Sequence, residues 1–421
     1  MVDVSDPDTL ALLLVQQYLD EHGYASALKE LERQQGLKYV SDKLPKGSML
    51  LEILYERMEK EAAEADEPET EARRKAMEEE EALLKGGTQS FPMEHACCID
   101  NLHETNIISI CCWPGQRKFF SGSGNGQVQQ LTYEGDLHWS QKLPVGGILS
   151  LDIWPKTRGS QQARLLVGSM DGSVSIMDAE DGTVLGATKA HSKYCVQATW
   201  NSSGTGFVTA SWDQSLCIYA WPAGTERSEG AHEPKLVHRE IFPTAVTAVA
   251  YLPDGTLVVA LRSTNCLRLF EPQTLKEVRR INMNAQGDDH VSFSAAHLAL
   301  QGQYLLVSTD GPRIIMYNIT DWQQKRNFFG LPVEKFHQPL ALWHPSGHYI
   351  IAAAAHGFVY VFHVGSAKAV HYFKAHEKNV RAMSYDPDER TLVTGSFDRK
   401  CQVWHERAPS AQTLSEVETA G

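Results

Sequence analysis

Seven returns of one strand-rich unit predict a mostly β fold, a seven-bladed β-propeller, with a small α-helical element and a charged helical linker ahead of it. From about residue 100 onward the chain repeats an apolar strand, a small-residue strand, a tight turn and a second apolar strand ending in a large apolar residue. That last residue is Leu131, Met177, Tyr219, Phe270, Tyr317, Phe362 and Trp404, at intervals of 46, 42, 51, 47, 45 and 42 residues. Six residues before each lies a turn position: Asn125, Asp171, Asp213, Thr264, Gly311, His356 and Asp398. A histidine stands 22 residues before the turn position in three units, as His103 before Asn125, His191 before Asp213 and His376 before Asp398. Two strands and their hairpin span that distance, so the imidazole can return beside the turn carboxylate of its own sheet.

The seventh unit reads Ala375-His376, Val393-Thr394-Gly395-Ser396-Phe397-Asp398 and Gln402-Val403-Trp404; the third has His191, Ser211-Trp212-Asp213 and Tyr219. These units resemble the WD-repeat family, over roughly residues 100 to 407. The resemblance implies a four-stranded sheet per repeat and a buried network of His, Asp, Ser or Thr, and Trp. It assigns that network to His191 with Asp213 and to His376 with Asp398 and Trp404; the spacing adds His103. Other units depart from the pattern: only Trp404 is the family's Trp, and Thr264 and His356 stand where Asp is usual. Such blades are expected to rely on apolar packing, because a partly satisfied buried network is worse than none. Sheets packed radially leave only short edges. Closing the ring requires a strand from outside the seventh unit, and Glu94 to Ile99 is the segment of suitable length. The propeller is therefore placed at 89–407, followed by a disordered tail at 408–421.

Residues 7–40 read as a helical hairpin. Asp6 can cap the first helix with Pro7 at its first position. Gly23 suits a left-handed helix end. The second helix, Tyr24 to Gln35, sets Ala27, Leu28 and Leu31 at helical spacing and stops at Gly36. Leu14-Val15, Tyr18-Leu19, Gly23-Tyr24, Ala27 and Leu31 resemble the lissencephaly-homology (LisH) motif. A unit this short seldom buries enough surface to fold alone. A symmetric four-helix dimer through Leu13, Leu14, Tyr18, Leu19, Tyr24, Leu28 and Leu31 would supply the missing cover, and the resemblance implies the same. The linker, 41–88, is rich in helix formers. Leu50, Leu51, Ile53, Leu54 and Met58 could extend the dimer as a short coiled coil before Pro68 breaks the helix. Between Glu56 and Lys85 there are 12 acidic and six basic residues, which reads as a solvated spacer.

Composition excludes several classes of function. The net charge of −13 makes the chain a poor general ligand for nucleic acid or for anionic membranes. No apolar run reaches the roughly 20 residues that span a bilayer. The acidic start Met1-Val2-Asp3 does not read as a secretory signal, so the eight cysteines are expected as reduced thiols in cytoplasm or nucleus. Cys97-Cys98 and Cys111-Cys112 lack the gap that structural zinc wants, and adjacent strand residues face opposite ways. No metal or cofactor is expected. Ser121-Gly122-Ser123-Gly124-Asn125-Gly126 reads as a hairpin turn, without the lysine or helix start of a phosphate loop. His232 and His238 read as loop residues with no third ligand at metal spacing. No catalytic constellation emerges.

Recognition is the remaining task. In the family the residue before each turn position points to one face, and here these are Gly124, Met170, Trp212, Ser263, Asp310, Ala355 and Phe397. Met170, Trp212 and Phe397 are large apolar residues at a wet position. With Lys193, Tyr194, Lys378 and Asn379 from the loops after the histidines, they form the expected partner-binding set. The expected function is a non-enzymatic scaffold, homodimeric through LisH, presenting its propeller to protein partners in a multiprotein complex. The domain order is closest to that of the lissencephaly protein, a dynein regulator, so a microtubule-motor regulator or a nuclear co-regulator is one further reading. A subunit of a ubiquitin-ligase complex is another, through Trp404-His405-Glu406-Arg407, and an enzyme working in the central channel is the least supported.

Overall fold

The computed structural model describes residues 7–21, 23–39, 50, 78, 82–83, 91, 93–100, 102–155, 163–221, 232–284, 293–334 and 339–406. Leu51, Ile53, Leu54, Met58, Pro68, Arg407 and the tail expected at 408–421 lie outside these residues. The chain divides into two compact units, Met1–Glu78 and Glu79–Gly421.

The first unit is built on helices α1 (Pro7–Glu21) and α2 (Ala25–Gln35). Gly23 between them has φ +75°, and Gly36 ends α2 in the left-handed conformation with its N–H bonded to the Glu32 carbonyl. Leu13 and Leu14 are buried at 1% and 5% exposure, with Leu37 and Leu50 packed on them. Both leucines were expected on a dimer face, but the chain after α2 folds back and covers them. Gln16 fastens that return by donating from Nε2 to the Leu37 carbonyl at 2.8 Å. Among the described residues α2 has no buried side chain: Tyr24 just before it is 54% exposed, and Leu28 and Leu31 are half-buried. Tyr18 and Leu19 are half-buried on α1.

The second unit is a ring of seven four-stranded antiparallel sheets. Six blades are continuous in sequence, at 107–142, 148–189, 195–241, 246–282, 295–329 and 341–374. The seventh joins 380–406 to a strand that precedes blade one in the chain, Met93–Ile99, which runs against Cys401–Glu406 with Met93 opposite Glu406 and Ile99 opposite Cys401. The first strands of neighbouring blades touch one another around the ring. Second strands such as Gly206–Ser211, Leu257–Leu261 and Thr391–Ser396 are buried along their whole length. Fourth strands form the outer edge, and Lys235–Ile241 shows why: its polar and charged residues suit a wet edge.

Each pair of adjacent blades shares one apolar core, so the described residues hold seven such cores rather than a single central one. The seven third-strand anchors Leu131, Met177, Tyr219, Phe270, Tyr317, Phe362 and Trp404 are all at most 7% exposed within these cores. Small residues on second strands let blades close up. A Cβ at Gly122 would lie 2.3 Å from Ser109 Oγ and 2.6 Å from Ile148 Cγ2 of the next blade. One at Gly395 would lie 2.6 Å from Ile110 Cδ1.

Polar side chains bridge every step of the ring. Ser109 Oγ donates to the Ile148 carbonyl at 2.9 Å, and Ser150 Oγ accepts from the Ala198 N–H at 3.0 Å. Gln197 Oε1 accepts from the Val249 N–H, and Thr247 Oγ1 donates to the Ala295 carbonyl. Trp343 Nε1 donates to the Ala299 carbonyl, His344 meets Tyr385 at 3.1 Å, and Ser384 Oγ accepts from the Cys112 N–H. These bonds satisfy buried polar groups while fixing the blade-to-blade register.

Candidate functional site

Antiparallel order puts the start of each first strand at the same end as the turn between second and third strands. All seven turn positions, with the loops that enter each blade, therefore gather on one rim of the ring. The residue after the turn position needs positive φ in most blades: Gly126 (+85°), Gly172 (+87°), Gln214 (+72°), Gly357 (+78°) and Arg399 (+69°). At Gly172 a Cβ would meet the His191 and Lys193 carbonyls at 2.4 Å each, so the turn of blade two fits tightly against the loop entering blade three.

Beneath this rim lie the histidine networks. In blade seven His376 Nδ1 faces Asp398 at 3.0 Å and Nε2 lies 2.9 Å from Thr394 Oγ1, which also receives Trp404 Nε1–H at 3.3 Å. A carboxylate beside Nδ1 assigns the proton to that nitrogen, leaving Nε2 to accept from Thr394. Asp398 further accepts the N–H groups of Glu377 and Lys400, which ties both rim loops to one carboxylate. Blade three repeats the arrangement, with His191 Nδ1 3.2 Å from Asp213 and Nε2 2.8 Å from Thr209 Oγ1. Tyr219 stands in place of Trp there and stacks on Phe207, with centroids 5.1 Å apart. Burial alone would raise the Asp213 carboxyl, but hydrogen bonds from Ser215 and Ser192 and the neighbouring His191 outweigh it and bring it down to about 2. Burial lowers His191.

Blade one differs from the expected pairing. His103 does not bond Asn125: its Nε2 meets Ser121 Oγ at 2.9 Å and its Nδ1 meets Gln127 Oε1 at 3.4 Å. Asn125 instead accepts from Ser123 Oγ at 2.6 Å. The neutral amide offers no charge to hold the imidazole, and burial pushes His103 down to about 4.

Of the expected rim residues, Tyr194 and Trp212 meet one another at blade three, with Lys193 next to Tyr194 in the chain and Met170 in the turn of blade two. Met170 is half-buried against Gly147. Lys193 is exposed, Tyr194 is 45% exposed, and the Tyr194 carbonyl accepts the Trp212 N–H at 3.1 Å. The two rings stand 6.2 Å apart at 50°. Arg262 lies over the half-buried Trp212 ring, 4.7 Å from its centroid. Arg262 was missed in the sequence, although it stands two residues before the turn position of blade four. Phe397, Lys378 and Asn379 sit across the ring in blade seven. Phe397 is 36% exposed and Lys378 is exposed, but Asn379 is occupied: Oδ1 accepts the His356 N–H at 2.8 Å and Nδ2 donates to Glu334 at 2.9 Å. Ala355 does not project outward; a short 3-10 turn over Ala355–Gly357 buries it to 2% exposure.

Other chemistry-bearing residues are accounted for locally. All eight cysteines are free thiols, and burial pushes Cys112 up to about 12 and Cys217 up to about 11. Among the described residues no group of three His, Cys, Asp or Glu is placed to hold a metal ion. His238 belongs to the outer strand of blade three, opposite Ile218, rather than to a loop.

The architecture is a seven-bladed β-propeller. Residues 182–220 and 367–405 match the family described as "WD domain, G-beta repeat", in blades three and seven and the strands before them. That repeat is typically a non-catalytic interaction module. The chain is 20% identical over 256 residues to the serine-threonine kinase receptor-associated protein of Mus musculus, covering 60% of this chain and 66% of the relative. The Homo sapiens protein of that name is 19% identical over the same length. The chain thus spans just under two thirds of these relatives. It is also 21% identical to the cilia- and flagella-associated protein 337 B of Tetrahymena thermophila over 174 residues, 41% of this chain and 13% of the relative.

Proposed function

We propose that the protein is a non-enzymatic scaffold that binds other proteins through the turn-bearing rim of its propeller and pairs with a second copy through its LisH-like helices. The observation that carries the reading is Trp212, a large aromatic held half-open on a rigid ring between Tyr194 and Arg262. The histidines that could have served chemistry are consumed by internal bonds to Asp213, Thr209, Asp398 and Thr394. A relative named for association with a receptor supports an adaptor role. Eight free thiols suit a reducing compartment, cytoplasm or nucleus.

Self-association rests on α2 and the turn before it, where Tyr24, Leu28 and Leu31 keep apolar surface open; Tyr18 and Leu19 on α1 adjoin them. Leu13 and Leu14 pack against Leu37 and Leu50 and are not open for pairing. Light scattering on the intact chain should give about 94 kDa, twice 46.9 kDa. Removal of residues 1–45 should return the remainder to a monomer. An unchanged association state after truncation, or a monomeric intact chain, removes the dimer from the reading.

A further inference from the structure

We propose that the strip across blades two to four receives an acidic, apolar-containing peptide segment of a partner protein, with its carboxylates on Lys193 and Arg262 and an apolar side chain against Trp212 and Tyr194. This rests on the reading of the rim as the docking face and names the chemistry of what docks there.

The strip's own carboxylates are already spent. Asp171 accepts from Ser169, from the Ser173 N–H at 3.0 Å and from Lys189 at 3.1 Å. Burial alone would raise it, yet these bonds hold it down to about 2. Asp213 is committed to His191, Ser192, Ser215 and Arg239. Among the described residues neither Lys193 nor Arg262 has a carboxylate partner, and both are exposed. Two uncommitted cations thus flank two aromatics. Arg262 lies over Trp212, which leaves its guanidinium edge open for a bidentate carboxylate. Trp212 supplies a flat apolar contact with little rotamer freedom to lose.

The opposite side of the rim is built differently. Glu334 holds His356 at 2.9 Å and Asn379, and Glu377 pairs with Lys374 at 2.9 Å. Lys374 is matched there, while Lys378 and Arg399 are exposed without a carboxylate partner among the described residues. The field of the propeller as a whole does not oppose an acidic ligand: residues 93–406 contain 27 Lys and Arg against 29 Asp and Glu, a net of −2 out of the chain's −13. Local cations therefore decide the sign of the strip.

The test is fluorescence anisotropy of the full-length protein with short labelled peptides that alternate Glu with Leu or Phe, compared with their Gln-for-Glu and Lys-for-Glu counterparts. The acidic peptides should bind most tightly and weaken with added salt, as the screening length falls from about 10 Å at 0.1 M to about 3 Å at 1 M. Lys193→Glu and Arg262→Glu should each weaken binding about tenfold, and Arg262→Lys, which keeps the charge and loses the flat fork, about threefold. Both sites are exposed, so unchanged thermal midpoints are expected for these variants. Lys378→Glu should leave the affinity unchanged. Equal binding of the Gln counterparts, or indifference to both charge reversals, overturns the assignment. Peptide binding that is instead lost in Lys378→Glu or Phe397→Ala keeps the rim as the docking face and overturns only the strip; absence of binding by any of the peptides overturns the acidic segment while the rim reading stands or falls on the partner captured by wild type and lost in Trp212→Ala.

Discussion

Blades seven and four occupy one ring and bury the same third-strand position, yet they hold it by different physics. Blade seven uses a linked polar set: Asp398, His376, Thr394 and Trp404 bonded in sequence between the rim and the third strand. Blade four has none of it. Thr264 closes its turn locally by donating to the Leu261 carbonyl at 3.0 Å, and Phe270 packs edge-to-face on Phe242 at 5.6 Å with Arg268 over both rings. Arg268 is in turn paired with Glu277. The tetrad is thus one solution to anchoring a rim loop, not a requirement of the fold. A blade that gives up all its polar members together leaves no orphan behind.

Phe270→Ala empties the apolar anchor of blade four and should cost about 4 kcal/mol, read as a lowered urea midpoint. A loss under about 1 kcal/mol would mean that Phe242 and Arg268 alone hold the blade. Asp398→Ala should cost about 2–3 kcal/mol, because His376 keeps a buried donor with no acceptor. Replacing Asp398 and His376 together should cost less than the sum of the two single changes, since the double variant removes both halves of the bond. Additive losses would show that the two act independently.

Acidification sharpens the contrast within the polar blades. His103 is held near 4, below its ordinary value, so the unfolded chain takes up its proton first as pH falls. Its contribution is whole above about pH 6.5 and is lost as pH falls towards 4, an effect of up to about 3 kcal/mol. His191 shifts in the same direction. The carboxylates Asp213 and Asp398 lie below their ordinary values despite burial, so their contribution persists above about pH 4 and fades only below it. Urea midpoints should therefore drop between pH 7 and 5, and His103→Gln should flatten that drop without removing the steeper loss below pH 4. The smallest effect belongs to Thr264→Ala, expected within about 0.5 kcal/mol because its bonds are local and backbone-directed.

Much of this arrangement was legible in the chain. The six-residue offset located all seven third strands, and the need for a closing strand located Met93–Ile99 within one residue. The 22-residue spacing brought His191 and His376 to their aspartates, because a two-strand hairpin has fixed length. The same spacing failed at His103, where Gln127 on the third strand was within reach and Asn125 had a nearer partner in Ser123. Contacts that cross from one segment to another escaped entirely. Arg262 over Trp212 joins two blades, and Leu37 over Leu13 is made by chain returning past a helix. Neither leaves a periodic trace. Ala355 was misplaced because a left-handed His356 tucks that turn inward.

The lock formed by Met93–Ile99 and Cys401–Glu406 has a cost in time. The end of the first strand, Ile99, and the start of the second, Cys401, lie 302 positions apart in the chain. At about 5–20 residues per second of synthesis, the early strand waits some 15–60 seconds on the ribosome before its mate exists. Through that interval blade one lacks its neighbour on one side, and Ile107, Ile110 and Phe119 lack the half of their shared core that Val393 and Val403 complete. A nascent chain in that state offers sticky surface to folding helpers and to its own siblings. The arrival of the final strand ends the exposure all at once.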